Sequence, residues 1–393
     1  MAEFLNGNRI TLLNSGAEYF PSLLAAIDQA QWEIFLESYI FADDEVGNAV
    51  IAALVRAAER AVAVRVLVDG FGARDFPEIF GARLEVTGAH HLTYRKLIGN
   101  FSLRRFHLRR LHRKLVVIDG QIAFVGGINI IDDNNAPIAH RPRYDYAVKV
   151  EGPLVAPIRQ AARRMWENVA WASFKRRYRL PNPDPVSAVP EQPGHQRAAF
   201  LLRDNIRHRN SIARAYLNAI HNARQSVLIA NAYFLPGARF RHALKAAAAR
   251  GVRITLLLQG QSDHPVFRYA TQALYEALLV EGIRIFEYQK SFLHAKVAVV
   301  DDHWATVGSS NIDPFSLLLS KEGNIVVDDK GFAGELAASL NAAIAEGAKE
   351  LTRHDMRRQP LYSRLLRWSS YGLLRLCIGL LGDGARQWRD DEV

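Results

Sequence analysis

The chain has 393 residues, 49% of them hydrophobic and 23% charged, and its formal net charge is +10. The length predicts two domains, each with a sizeable core, and the apolar content excludes a largely disordered chain. The single cysteine, Cys377, excludes an intramolecular disulfide framework and a cysteine-rich zinc site and favours a reducing, cytosolic compartment. The excess of lysine and arginine predicts an anionic partner: nucleic acid, an anionic membrane or a phosphorylated substrate.

Neither a membrane span nor an export signal is expected. No apolar run reaches the roughly 18 to 20 charge-free residues that a transmembrane helix needs. The first residues, MAEFLNGNRITLL, lack a basic segment followed by an apolar core, which a secretory signal requires.

The two halves of the chain repeat one order of elements. In each half a helical pattern, a buried strand, a second helical pattern and a second buried strand follow one another, at 23–30, 32–41, 49–60 and 63–70 and again at 216–223, 226–235, 240–251 and 252–260. The strands are continuous apolar runs, as in sheets covered on both faces. The order predicts an α/β fold made of two duplicated sandwich domains in a pseudo-twofold arrangement.

Five of the fifteen prolines fall between Pro181 and Pro193, which predicts an extended linker between the halves. The predicted division is an N-terminal domain at 1–180, a proline-rich linker at 181–197, a C-terminal domain at 198–350 and a basic amphipathic tail at 351–393.

Two stretches, Leu111–Asn129 and Leu293–Asn311, fit one template with identical spacing. The matched positions are His112 and His294, Lys114 and Lys296, Asp119 and Asp301, Gly126 and Gly308, Gly127 and Ser309, and Asn129 and Asn311. A lone H-x-K carries no information, but six matched positions that occur twice in one chain indicate a duplicated functional motif.

The residue types of the motif suit a phosphate group. Histidine and lysine two positions apart on a strand point to the same face, so each half offers an imidazole beside an ammonium. Two such half-sites brought together would surround one anion, with lysines and the amides of Asn129 and Asn311 holding phosphate oxygens. One histidine would attack phosphorus and the other would protonate the leaving alcohol. A metal site is disfavoured, because a lysine beside each histidine repels a cation.

Carboxylates are predicted in two supporting positions. Asp119 and Asp301 have the wrong parity for the histidine face and are expected to hydrogen-bond at a turn and support the site. Asp145 and Glu322 each precede an apolar run at matching places of the two halves. They are expected to accept the second ring nitrogen of a catalytic histidine and so fix its tautomer.

These residues resemble the HxKxxxxD signature of the phospholipase D superfamily, together with its trailing GG or GS and asparagine. Phrases such as FLESYIFADDEVG and SFLHAKVAVVDDHWATVGSSNIDP are similar to bacterial cardiolipin synthases, most closely the shorter B type without N-terminal transmembrane helices. The resemblance covers nearly the whole chain. It implies phosphatidyl transfer between two phosphatidylglycerol molecules through a phosphohistidine, without a metal or another cofactor. It also implies that His112 is the nucleophile and His294 the general acid and base.

The basic residues leave the partner open at first. Between Tyr94 and Lys114 there are eight basic residues and no acids: Arg95, Lys96, Arg104, Arg105, Arg109, Arg110, Arg113 and Lys114. A nucleic-acid groove, a segment on an anionic bilayer and a solvated loop all fit this stretch. A hydrolytic phospholipase or a nuclease of the same superfamily is therefore the alternative function.

The C-terminal sequence favours the membrane. On a helix, Arg364, Arg367 and Arg375 fall within about 80° of one another, and Trp368, Tyr371 and many leucines cover the rest. This pattern predicts a helix lying on the membrane surface, with a core helix docked on the C-terminal domain as the alternative. The expected partner is anionic phospholipid, with no nucleic acid. The expected location is peripheral, on the cytoplasmic side of the inner membrane.

Overall fold

The computed structural model describes residues 3–95, 109–135, 141–175, 178–180, 192–204, 208–261 and 264–380. The first half contains β1 (Leu5–Asn14), α1 (Ser15–Gln29), β2 (Glu33–Ser38), α2 (Glu45–Glu59), β3 (Ala63–Asp69), a π-helical turn (Pro77–Gly81) that runs into α3 (Ala82–Glu85), β4 (His90–Tyr94), β5 (Lys114–Ile118), β6 (Ile122–Gly126), β7 (Arg143–Tyr144), β8 (Tyr146–Glu151) and α4 (Val155–Ala172).

The second half repeats this order and adds a C-terminal extension. It contains β9 (Gln196–Arg203), α5 (Ser211–Asn222), β10 (Ser226–Asn231), α6 (Ala238–Ala249), β11 (Arg253–Gln259), α7 (Pro265–Val280), β12 (Arg284–Tyr288), β13 (Phe292–Leu293), β14 (Lys296–Val300), β15 (Trp304–Gly308), α8 (Pro314–Leu318), β16 (Glu322–Asp328), α9 (Lys330–Gly347), β17 (Ala348–Leu351), α10 (Arg353–Arg357) and α11 (Leu361–Leu380).

One large sheet carries the duplication. Outward from its centre, the first half runs β1-β8-β6-β5-β2-β3-β4 and the second half runs β9-β16-β15-β14-β10-β11-β12, with β17 added at the edge. The halves join where β1 pairs with β9. Because equivalent strands take equivalent places on either side of this join, the predicted α/β fold of two duplicated domains is confirmed.

The motif strands lie in the interior of each half-sheet. The strand β5 pairs with β2 and β6, and β14 pairs with β10 and β15. All five residues of each are buried, which explains their continuous valine, leucine and isoleucine content. The motif is therefore mounted on rigid, doubly flanked strands.

A single core joins the halves. Buried side chains from β5, β8, β14 and β16 pack together with those of α4 and α9. Two further cores lie on the other faces, one beneath α1 and α2 and one beneath α5 and α6. The shared core fixes the two motifs relative to each other.

The predicted linker and tail fall partly outside the described residues. Residues 181–191 and 381–393 lie outside them, and so do residues 96–108 of the basic stretch. Gln196 and Arg197, which were assigned to the linker, are the first residues of β9. Leu351 of the predicted tail lies in β17 and pairs with Ile285 of β12. Within the described ranges, no helix combines the length and the apolar character that crossing a membrane requires.

The helix α11 packs on α7 through one face only. Tyr371 and Leu374 are buried against Ala270 and Leu274 of α7. Arg367, which the sequence groups with Arg364 and Arg375 on the predicted membrane-surface helix, is only 5% exposed and is turned into the protein, so it does not face lipid. A helical wheel shows which residues share a face, but it does not show which face docks.

Candidate active site

The two motif histidines lie immediately before the buried strands β5 and β14. Lys114 and Lys296 are the first residues of these strands and are 3% and 0% exposed. His112 and His294 stand two residues earlier, in segments that pair with the opposite half, since Leu111 pairs with Lys321 and Leu293 with Tyr144. The structure thus brings the two predicted half-sites together.

Each histidine is held by a carboxylate from the other half. The Nδ1 atom of His112 lies 3.0 Å from both carboxylate oxygens of Glu322, at the start of β16. The Nδ1 atom of His294 lies 2.6 Å from Oδ2 of Asp145, beside β8. Both carboxylates predicted from the sequence therefore contact a motif histidine, and in each pair the two residues come from different halves.

Backbone hydrogen bonds between the halves hold these crossed pairs in place. The His112 amide donates to the Lys321 carbonyl at 3.0 Å, and the His294 amide donates to the Tyr144 carbonyl at 2.8 Å. In each case the accepting residue immediately precedes the carboxylate, so the backbone contact sets the distance from imidazole to carboxylate. The histidine of one half and the carboxylate of the other therefore form a single rigid unit.

Burial keeps the imidazoles neutral near pH 7. It lowers the pKa of His112, against the opposing charge of Glu322, and it lowers the pKa of His294 to about 4. Burial alone would raise the pKa of Asp145, but the Lys296 ammonium and His294 hold it below its usual range. A neutral ring that donates from Nδ1 to a carboxylate leaves Nε2 with a lone pair, which is the atom a nucleophile or base uses.

The two lysines are fixed beside the imidazoles. Nζ of Lys114 donates to the His112 carbonyl at 2.7 Å, and burial lowers the pKa of its ammonium to about 7. Nζ of Lys296 donates to the His294 carbonyl and lies 3.4 Å from Oδ2 of Asp145. Two buried ammonium groups therefore lie beside the two imidazoles, an arrangement that suits an anion such as a phosphodiester.

The motif aspartates lie at turns away from the imidazoles. Asp119 accepts the backbone N–H groups of Gln31, Trp32 and Glu33 at 2.7 to 2.9 Å. Asp301 accepts those of Arg224, Gln225 and Ser226 at 2.8 to 2.9 Å. Both residues have positive φ values, 53° and 51°. They tie the end of each motif strand to the start of the neighbouring strand and touch no motif histidine.

The motif asparagines flank the site and are almost fully buried. Asn129 uses its side-chain oxygen to accept the Ile40 amide at 3.0 Å. The side-chain oxygen of Asn311 is buried and has no hydrogen-bond partner among the described residues. The amide donors predicted from the sequence therefore lie in two different hydrogen-bonding environments.

Ser309 supports the site in a way that its motif position alone did not indicate. Its hydroxyl donates to Oε2 of Glu322 at 2.5 Å and accepts the Gly323 amide at 3.1 Å. At the equivalent position of the first half, a β-carbon on Gly127 would lie 2.3 Å from Oδ1 of Asp145. The glycine leaves room for the shorter carboxylate, whereas the serine orients the longer one.

Tyr39 was also missed by sequence reasoning. Its ring meets the His112 ring edge-on, with centroids 4.9 Å apart, and Nζ of Lys114 lies 5.3 Å from the Tyr39 centroid. The equivalent position of the second half does not hold a tyrosine, so the duplication gave no signal for Tyr39.

Known proteins resemble this chain over most of its length. A family model described as cardiolipin synthase, PLD-like domain, matches residues 23–166 and 216–344, which contain one motif each. The cardiolipin synthase B of Escherichia coli K12 is 42% identical over 355 residues, covering 88% of this chain and 82% of the relative. The chain belongs to this family. The major cardiolipin synthase ClsA of Bacillus subtilis is 30% identical over 93% of the chain.

Solved structures show the same fold in more distant proteins. Phosphatidylserine synthase of Haemophilus influenzae aligns with this PLD-like family member over 94% of both chains, with a TM-score of 0.69 and 14% identity. Polyphosphate kinase of Porphyromonas gingivalis aligns over 93% of this chain and 53% of its own, with a TM-score of 0.56 and 16% identity. At these identities the likeness extends to the fold.

Proposed function

We propose that this protein is a cardiolipin synthase that transfers a phosphatidyl group from one phosphatidylglycerol to another and releases glycerol. The crossed pairing of His112 with Glu322 and of His294 with Asp145 carries the proposal. It supplies two oriented imidazoles beside two lysines. A two-step displacement at phosphorus needs one of these imidazoles neutral as the nucleophile and the other protonated as the acid.

In the first step, Nε2 of His112 attacks phosphorus of the donor lipid. A P–N bond forms and the P–O bond to glycerol breaks, and His294 gives its proton to the departing glycerol oxygen. Lys114, Lys296 and the motif asparagines stabilise the charge on the non-bridging oxygens. A bound phosphodiester anion adds negative charge beside His294 and raises its pKa, so His294 takes up from solvent the proton that it then gives to the glycerol oxygen.

In the second step, a hydroxyl group of the acceptor phosphatidylglycerol attacks the phosphohistidine. His294, now neutral, takes the hydroxyl proton while the new P–O bond forms and the P–N bond breaks. The products are cardiolipin and free His112. The proton therefore moves onto and off one residue, and the cycle closes without net change in the enzyme.

The helix α11 is the proposed contact with anionic phospholipid. Its outward face carries large exposed apolar side chains, namely Leu361, Tyr362, Leu365, Leu366, Trp368, Leu373 and Leu376. Arg364 on the same helix is exposed, so its positive charge can attract an anionic surface. Such a helix lies in the plane of the interface, so we place the enzyme peripherally, on the cytoplasmic side of the inner membrane.

A surface double variant tests this membrane contact. Leu365→Ser together with Trp368→Ser removes exposed apolar area from α11 and leaves the docked residues Tyr371 and Leu374 intact. We expect weaker sedimentation with phosphatidylglycerol vesicles, most clearly at high salt. The matched control is Val86→Ser, which removes an exposed apolar side chain from another surface. Unchanged sedimentation of the double variant would reject α11 as the membrane contact.

The reaction is tested with the purified protein and vesicles of phosphatidylglycerol. We expect mass spectrometry to find cardiolipin and free glycerol, and we expect DNA in a parallel incubation to stay intact. Phosphatidic acid as the main product would indicate a hydrolytic phospholipase, and cleaved DNA would indicate a nuclease. His112→Ala and His294→Ala should each abolish cardiolipin formation while the folded-state circular dichroism is retained.

A further inference from the structure

The two half-sites differ beside their histidines. In the first half, Tyr39 covers one edge of His112 and lies below the Lys114 ammonium. Its ring is only half-buried, and its hydroxyl makes no hydrogen bond with the described part of the chain. Burial and the charge of Asp69 raise its pKa to about 12, so the phenol stays protonated and can donate.

Arg110 is the second distinctive residue. Its Nη1 atom lies 4.0 Å from Oδ1 of Asp69 and has no hydrogen-bond partner among the described residues. Asp69 is already engaged, since it accepts the backbone N–H groups of Leu111, Phe71 and Gly72. The guanidinium is supported by the Phe71 ring, 4.9 Å away, and retains donors for another anion.

Arg110 and Tyr39 adjoin the reacting groups. Arg110 precedes His112 by two residues, which puts both side chains on the same side of an extended segment. The Lys321 amide donates to the Arg110 carbonyl and the His112 amide donates to the Lys321 carbonyl, so both are tied to the residue that precedes Glu322. The charges of Arg110 and Glu322 both act on the Tyr39 hydroxyl.

The second half has no equivalent of this pair. The strand registers make Ala232 the counterpart of Tyr39, and the motif alignment makes Phe292 the counterpart of Arg110. Phe292 stacks on His294 with centroids 6.0 Å apart. The nearby cation, Arg143, lies over the Phe292 ring and donates to the Asn135 carbonyl. His112 thus has polar and cationic neighbours, whereas His294 is stacked on an apolar ring.

We infer that Arg110 and Tyr39 form a second anion subsite, which binds the phosphate of the acceptor lipid. This inference rests on the proposed function. An acceptor phosphatidylglycerol carries its own phosphodiester close to the attacking hydroxyl, whereas water and simple alcohols carry none. A guanidinium and a phenol are suitable donors to phosphate oxygens. The subsite therefore selects a phosphorylated alcohol and helps the lipid compete with water.

The test compares two acceptors in one reaction. Vesicles of phosphatidylglycerol are incubated with 1-butanol, and cardiolipin and phosphatidylbutanol are measured by mass. For Arg110→Gln we expect the ratio of cardiolipin to phosphatidylbutanol to fall about tenfold, because one charged hydrogen-bonding group is lost. For Tyr39→Phe, which keeps the ring against His112, we expect a smaller fall of the same sign. Phosphatidylbutanol formation should fall less than cardiolipin formation in either variant.

Two controls separate the possible causes. Arg253→Gln removes an exposed arginine at the start of β11 and should leave the ratio unchanged. If Arg110→Gln does not fold, Arg110→Lys, which keeps the charge beside Asp69 but loses the planar guanidinium, is expected to lower the ratio. An unchanged ratio in Tyr39→Phe and the Arg110 variants, or an equal loss of both products, would overturn the subsite. A wild-type enzyme that makes no cardiolipin would instead overturn the proposed function.

Discussion

Glu322 meets His112 with both carboxylate oxygens at 3.0 Å, whereas Asp145 meets His294 with one oxygen at 2.6 Å. The difference follows from residue size. The longer glutamate is oriented by the Ser309 hydroxyl, and the shorter aspartate occupies the space that Gly127 leaves open. The duplicated motif showed the histidines, lysines and asparagines in the sequence. It could not show Tyr39 and Arg110, because the counterpart positions of the other half hold residues of a different type, Ala232 and Phe292.

Removing the charge of Glu322 tests its role on His112. Glu322→Gln keeps the size of the side chain but allows the wrong imidazole tautomer, so we expect the transfer rate to fall by about 10²- to 10⁴-fold. Initial rates of cardiolipin formation provide the measurement. The matched control is Glu335→Gln, an exposed carboxylate on α9, which should keep the wild-type rate. A rate in Glu322→Gln within twofold of wild type would contradict the orienting role.

The pH dependence tests Lys114. Because the pKa of its buried ammonium is lowered to about 7, the lysine loses its proton, and its attraction for phosphate, as pH rises through that value. We therefore expect kcat/KM to decline above about pH 7. In Lys114→Arg the charge persists to far higher pH, so any remaining activity should lack this decline. An alkaline limb at the same pH in both proteins would assign the titration to another group.

At the scale of elements, the apolar runs of β2, β3, β10 and β11 predicted strands that the structure confirms. Helix α11 was predicted less completely, because its sequence is apolar on more than one face. The contact with α7 decides that Tyr371 and Leu374 face inward and Leu365 and Trp368 face outward. The turns after β5 and β14 are tied by their aspartates to backbone N–H groups 75 to 88 positions away in the chain, yet an aspartate at the end of an apolar run was a sufficient signal for them.

The turn after β5 gives a stability prediction. Asp119→Ala removes an acceptor of three backbone N–H groups at a residue with positive φ, so we expect the free energy of unfolding to fall by about 1 to 3 kcal/mol. Urea denaturation measures the change. Asp302→Ala is the control, since Asp302 also has positive φ but its carboxylate accepts no hydrogen bond from the described residues. Equal losses in both variants would attribute the effect to backbone strain alone.

At the scale of the whole molecule, the crossed pairs depend on how two halves share one sheet and one core. The sequence predicted which carboxylates would serve the histidines, but it could not predict that each would come from the opposite half. That arrangement follows from the pairing of β1 with β9 and from contacts between residues about 200 positions apart, such as His112 with Glu322. Such contacts leave no local pattern in the chain.

The shared core predicts that the halves unfold together. Leu336 on α9 is fully buried in the core that contains strands of both halves. We expect one calorimetric transition for the wild-type protein and one transition at lower temperature for Leu336→Ala, which costs about 2 to 5 kcal/mol. Two separate transitions, only one of them shifted by the substitution, would show that the halves are independent.

The central claim is that His112 carries the phosphatidyl group covalently during its transfer from one phosphatidylglycerol to the other. The most direct measurement is mass spectrometry of the enzyme after rapid mixing with phosphatidylglycerol and a neutral quench, with the modified peptide mapped. The account predicts a phosphatidyl adduct on the peptide that contains His112, present in the wild-type protein and absent from His112→Ala. An adduct on His294 instead, or cardiolipin formed by His112→Ala, would contradict it.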